Sequence, residues 1–224
     1  MSLATATPWN EMWPLVGPAL SETLQMVGAV LGIALVVGTP LAVVLHNTAP
    51  TGLFPRRSVN LVLGWVVNLG RSLPFLILMA AIVPFTRFVA GTSIGVMGAI
   101  VPLSVGAIPF YARLVEATLR EVPRDVLEVA QASGGSRWQT IRKVQMSEAL
   151  PGIVSNLTIA VVGIVEYTAI AGAIGAGGIG YLALSYGYNR FDGNVMLATI
   201  VILVLFVQVV QFTGDWLSRA VARR

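Results

Sequence analysis

Asn194-Val195-Met196-Leu197-Ala198-Thr199-Ile200-Val201-Ile202-Leu203-Val204-Leu205-Phe206-Val207-Gln208-Val209-Val210-Gln211-Phe212 carries no charged side chain. A helix needs about 20 such residues to cross about 30 Å of hydrocarbon. Inside a bilayer every backbone N–H and C=O must be satisfied by the segment itself, so a span is a helix or a strand of a closed barrel. Barrel strands are only about 10 residues and alternate in polarity. This stretch does neither, and reads as a transmembrane helix. Working outward, four further runs read the same way. The first is 22–45, with Ser21 as N-cap and Glu22 in the first turn, where the helix dipole favours an acid. The second, 59–84, is interrupted by Arg71 and Pro74. The third, 93–111, contains Pro102 and Pro109. The fourth, 151–170, opens with Pro151 at a first helical position. The expected fold is an all-α membrane protein of five transmembrane helices, one domain over 1–224.

Composition agrees. Of 224 residues, 56% are hydrophobic and 11% charged, with mean hydropathy +0.81. A soluble domain carries about 25% charged residues. The absence of cysteine excludes disulfides, thiolate nucleophiles and cysteine-ligated metals, and His46 alone builds no metal site. The net charge of +4 sits in membrane-flanking segments, so it reads as an orientation signal rather than a nucleic-acid surface. No Lys or Arg precedes Arg56, so the start lacks the basic region of a cleavable signal peptide. Residues 1–20 read as a short extracytoplasmic lead, with Trp9 and Trp13 at the interface.

Basic residues set the topology. Arg56 and Arg57 follow the first span. Arg113, Arg120, Arg124, Arg137, Arg142 and Lys143 lie between the third and fourth, and Arg219, Arg223 and Arg224 end the chain. Only Arg87 and Arg190 fall on the other side. Five spans, an outside N-terminus and an inside C-terminus put every basic segment in the cytoplasm.

The segment 113–148 is therefore a cytoplasmic loop, and a long one. Val122, Val126, Val129 and Ala130 recur three or four apart, on one helical face. Arg124, Asp125, Glu128 and Gln131 fall elsewhere, and Gly134-Gly135 is a C-terminal stop. A second helical piece runs from Trp138 to about Val144. A short helix with an apolar face fits a groove on a partner; the alternative is an amphipathic element lying on lipid headgroups.

Glu128-Val129-Ala130 with Gly134 resembles the Glu-Ala-Ala…Gly loop by which permease subunits of ABC importers engage their ATPase. The family's later Ile-x-Leu-Pro ending is here Val144-Gln145-Met146-Ser147, with Pro151 four residues on. Arg71-Ser72-Leu73-Pro74-Phe75, Gly91-Thr92-Ser93-Ile94-Gly95, the Gly172–Gly180 stretch and Tyr186-Gly187-Tyr188 are similar to the methionine-importer permeases of that class, over essentially the whole chain. The resemblance implies a type I importer permease of the bacterial inner membrane that binds no cofactor of its own. It implies as partners a second copy of the chain, two ATPase subunits that use ATP and Mg²⁺, a periplasmic or lipid-anchored binding protein and membrane lipid, and no nucleic acid. ATP binding and hydrolysis would drive alternating access. The coupling residues it implies are Val126, Glu128, Val129, Ala130, Gly134 and Arg137.

Arg71 and Glu166 are ionisable groups inside spans, each costing about 2.5–3.5 kcal/mol by insertion scales, and such groups usually face a bundle interior or water. By helix rise Arg71 lies about 15–18 Å from the cytoplasmic end of its span and Glu166 about 22 Å from the start of its own. They read as structural charges or, with Pro74 and Tyr167, as pathway or gate residues. Pro74, Pro102 and Pro109 kink their helices, as packing shape or as bistable hinges. Gly175-x-Gly177-x-x-Gly180 matches a dinucleotide fingerprint in form, but no βαβ unit surrounds it; it reads as a tight turn at the extracytoplasmic mouth. Two other functions stay open: a permease for another amino acid or small solute, and an ATP-independent channel or secondary transporter. An intramembrane enzyme finds no nucleophile–base pair.

Overall fold

A computed structural model of the chain describes residues 6–222, in which every regular element is helical. Arg223 and Arg224, counted above among the cytoplasmic charges, lie outside the described residues, as does the start of the 1–20 lead. A one-turn 3₁₀ segment, Trp9–Glu11, leads into α1 (Met12–Ile33), and a π turn over Ala34–Gly38 joins α1 to α2 (Thr39–Thr48). There follow α3 (Arg57–Ser72), α4 (Phe75–Ala81), α5 (Val83–Ala90), α6 (Gly95–Glu121), α7 (Arg124–Ala132) and α8 (Arg137–Gln139). A π turn over Thr140–Gln145 enters α9 (Met146–Ala173); then come α10 (Gly178–Leu182), a π turn over Ala183–Tyr188, and α11 (Gly193–Ala222). Four stretches are long and apolar enough to cross a membrane: Trp9–Thr48, Gly95–Glu121, Arg137–Ala173 and Gly193–Ala222. A fifth crossing exists if the sharply bent pair α3 and α4 counts as one span.

Three expectations are corrected. The first helix does not begin at Ser21. Helix continues from Met12 through that position, the Ser21 hydroxyl accepts from Gln25 Nε2 at 3.1 Å, and Glu22 lies in mid-helix. Pro14 sits in the first turn, where a missing N–H costs nothing, and Pro18 is carried inside the helix. The third span does not stop at Tyr111. α6 runs on to Glu121 because its charges neutralise one another: buried Glu116 accepts from Arg113 and Arg120, both at 2.5 Å. Pro151 is inside α9 rather than at its start, since helix is continuous from Arg137 onward.

The chain divides into two compact units. The first comprises the described parts of Met1–Ile33 with Leu73–Ala107 and Val161–Gln211. Its core joins Met12, Val16 and Ala19 of α1 to Ile179 and Leu182 of α10 and to Val195 and Ala198 of α11. Gly175 and Gly177, both with positive φ, lead into α10, whose first residue, Gly178, also has positive φ. The α10 amides are closed off by α1: Gly178 N donates to Glu22 Oε2 at 2.6 Å and Ile179 N to Thr23 Oγ1 at 2.9 Å. Glu22 therefore serves the start of α10, not of α1. The Asp192 carboxylate accepts from the Thr7 amide (2.9 Å) and hydroxyl (2.5 Å) and from the amides of Asn194 and Val195 (both 3.1 Å), capping α11 and tying down the N-terminal segment.

The second unit comprises Ala34–Ser72, Ile108–Ala160 and Phe212–Arg224 as far as described. Arg113 extends the Glu116 cluster to α3, donating to Asn68 Oδ1 at 2.7 Å and Gly64 O at 3.4 Å. Asn156 of α9 donates to Leu114 O and Thr118 Oγ1 of α6 at 3.0 and 2.6 Å. Buried Gln145 accepts from Asn47 Nδ2 at 2.9 Å.

Candidate coupling site

α7 starts after Pro123, whose backbone is extended at φ −60° and ψ 137°. That conformation suits a proline and turns the chain out of α6. Asp125 stands in the first turn, where the dipole favours it. At the other end Ser133 N and Oγ both donate to Val129 O (3.0 and 2.9 Å), Gly134 N to Gln131 O (3.0 Å) and Gly135 N to Ala130 O (3.1 Å). Gly134 holds φ +84°, the left-handed region where a Cβ is penalised. A Cβ on Gly135 would fall 2.7 Å from Ala130 O. The double glycine therefore lets the chain fold back against the last turn of α7.

The return is equally specified. Ser136 caps α8 in a capping box: Gln139 N donates to Ser136 Oγ at 3.3 Å and Ser136 N to Gln139 Oε1 at 2.9 Å. The Ser-x-x-Gln spacing at 136–139 carries that signal and starts the second piece earlier than Trp138. It does not end at Val144; the π turn passes directly into α9.

The α7 side chains separate into two sets. Leu127 is 9% exposed and faces inward with Val122, while Val126 and Ala130 are half-buried. Val129 is 66% exposed, so the residues that recur three or four apart do not share one environment, and Leu127 is the α7 side chain turned inward. Glu128, Gly134 and Arg137 are exposed. Arg124 Nη2 donates to Thr51 O at 3.1 Å, fixing α7 to the 50–53 turn. Open cavities of about 300 Å³ flank the helix on both sides, one against Thr51–Leu53, Glu128 and Gln131, the other against Ser133–Gly135 and Lys143. Arg137 lies over the Phe54 ring, 5.4 Å from its centroid. The arrangement is an amphipathic helix, anchored at both ends, with Val129 and Glu128 exposed to meet a partner.

The four residues inside the spans fall in both units. Arg71 is exposed in the last turn of α3, in the second unit. Pro74, Glu166 and Tyr167 belong to the first. Pro74 breaks the bent pair and caps α4, its carbonyl accepting from Ile77 N and Leu78 N at 2.9 and 3.0 Å. The next residue, Phe75, stacks on Tyr167 with ring centroids 4.6 Å apart and planes at 11°. Glu166 is exposed on α9, and no ion pair engages it or Arg71 among the described residues.

Long apolar helices with a short amphipathic helix carried outside them define a multi-span helical membrane protein. Residues 34–224 match the profile of the binding-protein-dependent transport system inner membrane components, and the chain belongs to that family. It is 46% identical over 225 residues to a probable D-methionine transport system permease protein of Vibrio cholerae, each chain covered in full. It is 39% identical over 180 residues to the methionine import system permease protein of Bacillus subtilis, covering 80% of this chain and 81% of that one. A solved structure described as an inward-facing conformation of the MetNI methionine ABC transporter superposes with TM-score 0.93 at 41% identity, covering 96% of this chain and 99% of that one. The protein is a multi-pass, non-catalytic permease of the inner membrane.

Proposed function

We propose that this chain forms one half of the pathway of an ATP-driven methionine importer. It pairs with a second copy, takes force from two ATPase subunits and receives substrate from a separate binding protein. ATP and Mg²⁺ are used by the ATPases; this chain holds neither. The bent pair α3 and α4 makes the fifth crossing, the N-terminus is outside, and α7 is cytoplasmic, as the basic flanks favour.

The observation that carries the reading is the way α7 is mounted. Val129 and Glu128 project outward, while Leu127, the Arg124–Thr51 bond and the Ser136 box hold the helix from behind. Val126, Val129 and Ala130 supply the apolar contact with the ATPase, Glu128 and Arg137 set the register, and Gly134 permits the turn. No flexible linker separates Arg137 from Ala173, so displacement at the ATPase enters a membrane helix directly. Arg71, Pro74, Glu166 and Tyr167 are the pathway and gate candidates; the stacked Phe75–Tyr167 pair makes Pro74 and Tyr167 one gate element. Additive losses of uptake in R71A and E166A would show that those two charges act independently.

The test is a mild-detergent pull-down of tagged chain beside an assay of methionine uptake. The expected result is stoichiometric ATPase with wild type, lost with uptake in E128R at unchanged expression. Undiminished uptake in E128R removes α7 from coupling; wild-type chain isolated alone in every detergent removes the importer reading.

A further inference from the structure

Outside α7, one cavity in the first unit has the makings of a ligand site. It measures about 410 Å³, within the roughly 300–1,000 Å³ of small-molecule sites. Apolar side chains line most of it, among them Met79, Val83 and Ile94. Three polar groups enter the same space. The Thr86 side chain is 2% exposed and its Oγ1 has no hydrogen-bond partner. An unsatisfied buried hydroxyl costs about 1–3 kcal/mol, a cost that an accepting ligand would relieve. The adjoining Arg87 has no carboxylate partner among the described residues. Its Nε donates to Ser93 Oγ at 3.1 Å, which holds the guanidinium while leaving both terminal nitrogens available. Ser93 is brought in by Gly98, whose Cβ would overlap the Ser93 backbone, 2.6 Å from its carbonyl carbon.

A fixed fork of donors suits a carboxylate, and the surrounding wall suits a short unbranched apolar arm. We propose that this cavity takes a free amino acid by its carboxylate, Arg87 and Thr86 donating to the two oxygens and the side chain lying against Met79, Val83 and Ile94. Resting on the importer reading, the ligand is the transported methionine, held on the extracytoplasmic side before it passes inward. No carboxylate is among the described residues that line the cavity, so the amino group stays at the open mouth. Two hydrogen bonds and a small apolar contact give weak affinity, on the order of 1 mM, as a transit site requires.

The experiment is saturation-transfer NMR of L-methionine on the complete transporter in zwitterionic-lipid nanodiscs, without the binding protein. Wild type should show saturable contact, lost by about tenfold in R87Q and by about threefold in the isosteric T86V, the costs of one charge-assisted and one neutral hydrogen bond. 4-(Methylthio)butanoate, which keeps the carboxylate, should compete, and L-methioninamide, which lacks it, should not. Any of four results overturns the proposal: no saturable signal up to about 10 mM, unchanged affinity in both variants, competition by the amide, or displacement by phosphatidylglycerol, which would make Arg87 a lipid-headgroup contact. Methionine uptake by cells carrying the wild-type chain keeps the two readings apart. Its absence removes the importer reading, whereas uptake without binding removes only this cavity.

Discussion

Two carboxylates show how differently a single charge is handled inside this chain. Burial alone would raise the pKa of Asp192, but hydrogen bonds from the Thr7 hydroxyl and amide and from the Val195 and Asn194 amides outweigh it and hold the carboxyl below its ordinary range. A carboxylate depressed in the folded state stabilises the fold above its unfolded value of about 3.9, and that contribution disappears as pH falls through the lower folded value. D192A should lose about 1 kcal/mol at pH 7, the worth of a helix cap. Its melting temperature in detergent should also fall less steeply than wild type's as pH drops below about 4. Parallel pH profiles would show that the Thr7 and α11 bonds leave stability unaffected. Glu116 is the opposite case, 2% exposed and held between two guanidinium groups. E116A strands the half-buried Arg113 charge and should cost about 3–5 kcal/mol. R120A, which removes an exposed partner, should cost no more than about 1 kcal/mol. Thermal unfolding of the two variants side by side ranks them, and equal losses would mean that the cluster is not what sustains the end of α6.

At the scale of elements, the helix ends tell what was legible in the sequence. The uncharged 194–212 run, the stop at Gly134 and the break at Pro74 were all visible, because each depends on a local rule: hydrophobic length, the freedom of glycine, the missing proline donor. The extension of α6 to Glu121 was hidden. Arg113, Glu116 and Arg120 read as loop charges until their i, i+3 and i, i+4 spacing is seen to neutralise them in place. The start of α1 was hidden because Ser21-Glu22 has the form of a helix start, and Glu22 instead serves α10 because its partner, Gly178, is 156 positions away. The inward position of Leu127 was hidden, since the spacing of Val122, Val126, Val129 and Ala130 marks an apolar face without saying which side chain the rest of the chain covers. The turn at Gly134 offers a direct check. A Cβ forced into φ +84° costs about 1–3 kcal/mol, so G134V should loosen the end of α7. Amide exchange across 133–136 should accelerate while that of α9 stays unchanged. If exchange at 133–136 is unaffected, the αL glycine is not what closes the helix.

For the whole molecule, the number of crossings decides which surface meets the ATPase. Four stretches qualify as spans outright, and only the bent pair α3 and α4 changes the count from four to five. With four, Thr51 and Thr92 face the same side, both termini lie together, and the basic residues are divided between the two faces. With five, every Arg and Lys outside the spans except Arg87 and Arg190 collects on one face, the arrangement the positive-inside rule selects. The chain contains no cysteine, so single cysteines can report sidedness against an unmodified background. T7C, T92C and N189C should react with an impermeant maleimide in intact spheroplasts. T51C, S133C and S218C should react only after permeabilisation. Thr51 is the decisive position, because Arg124 is bonded to its carbonyl and the 50–53 turn therefore shares the compartment of α7. Labelling of T51C from outside would move α7 away from the ATP-containing side and end its assignment as the coupling helix, whereas labelling of T92C from inside would confine the bent pair to one leaflet.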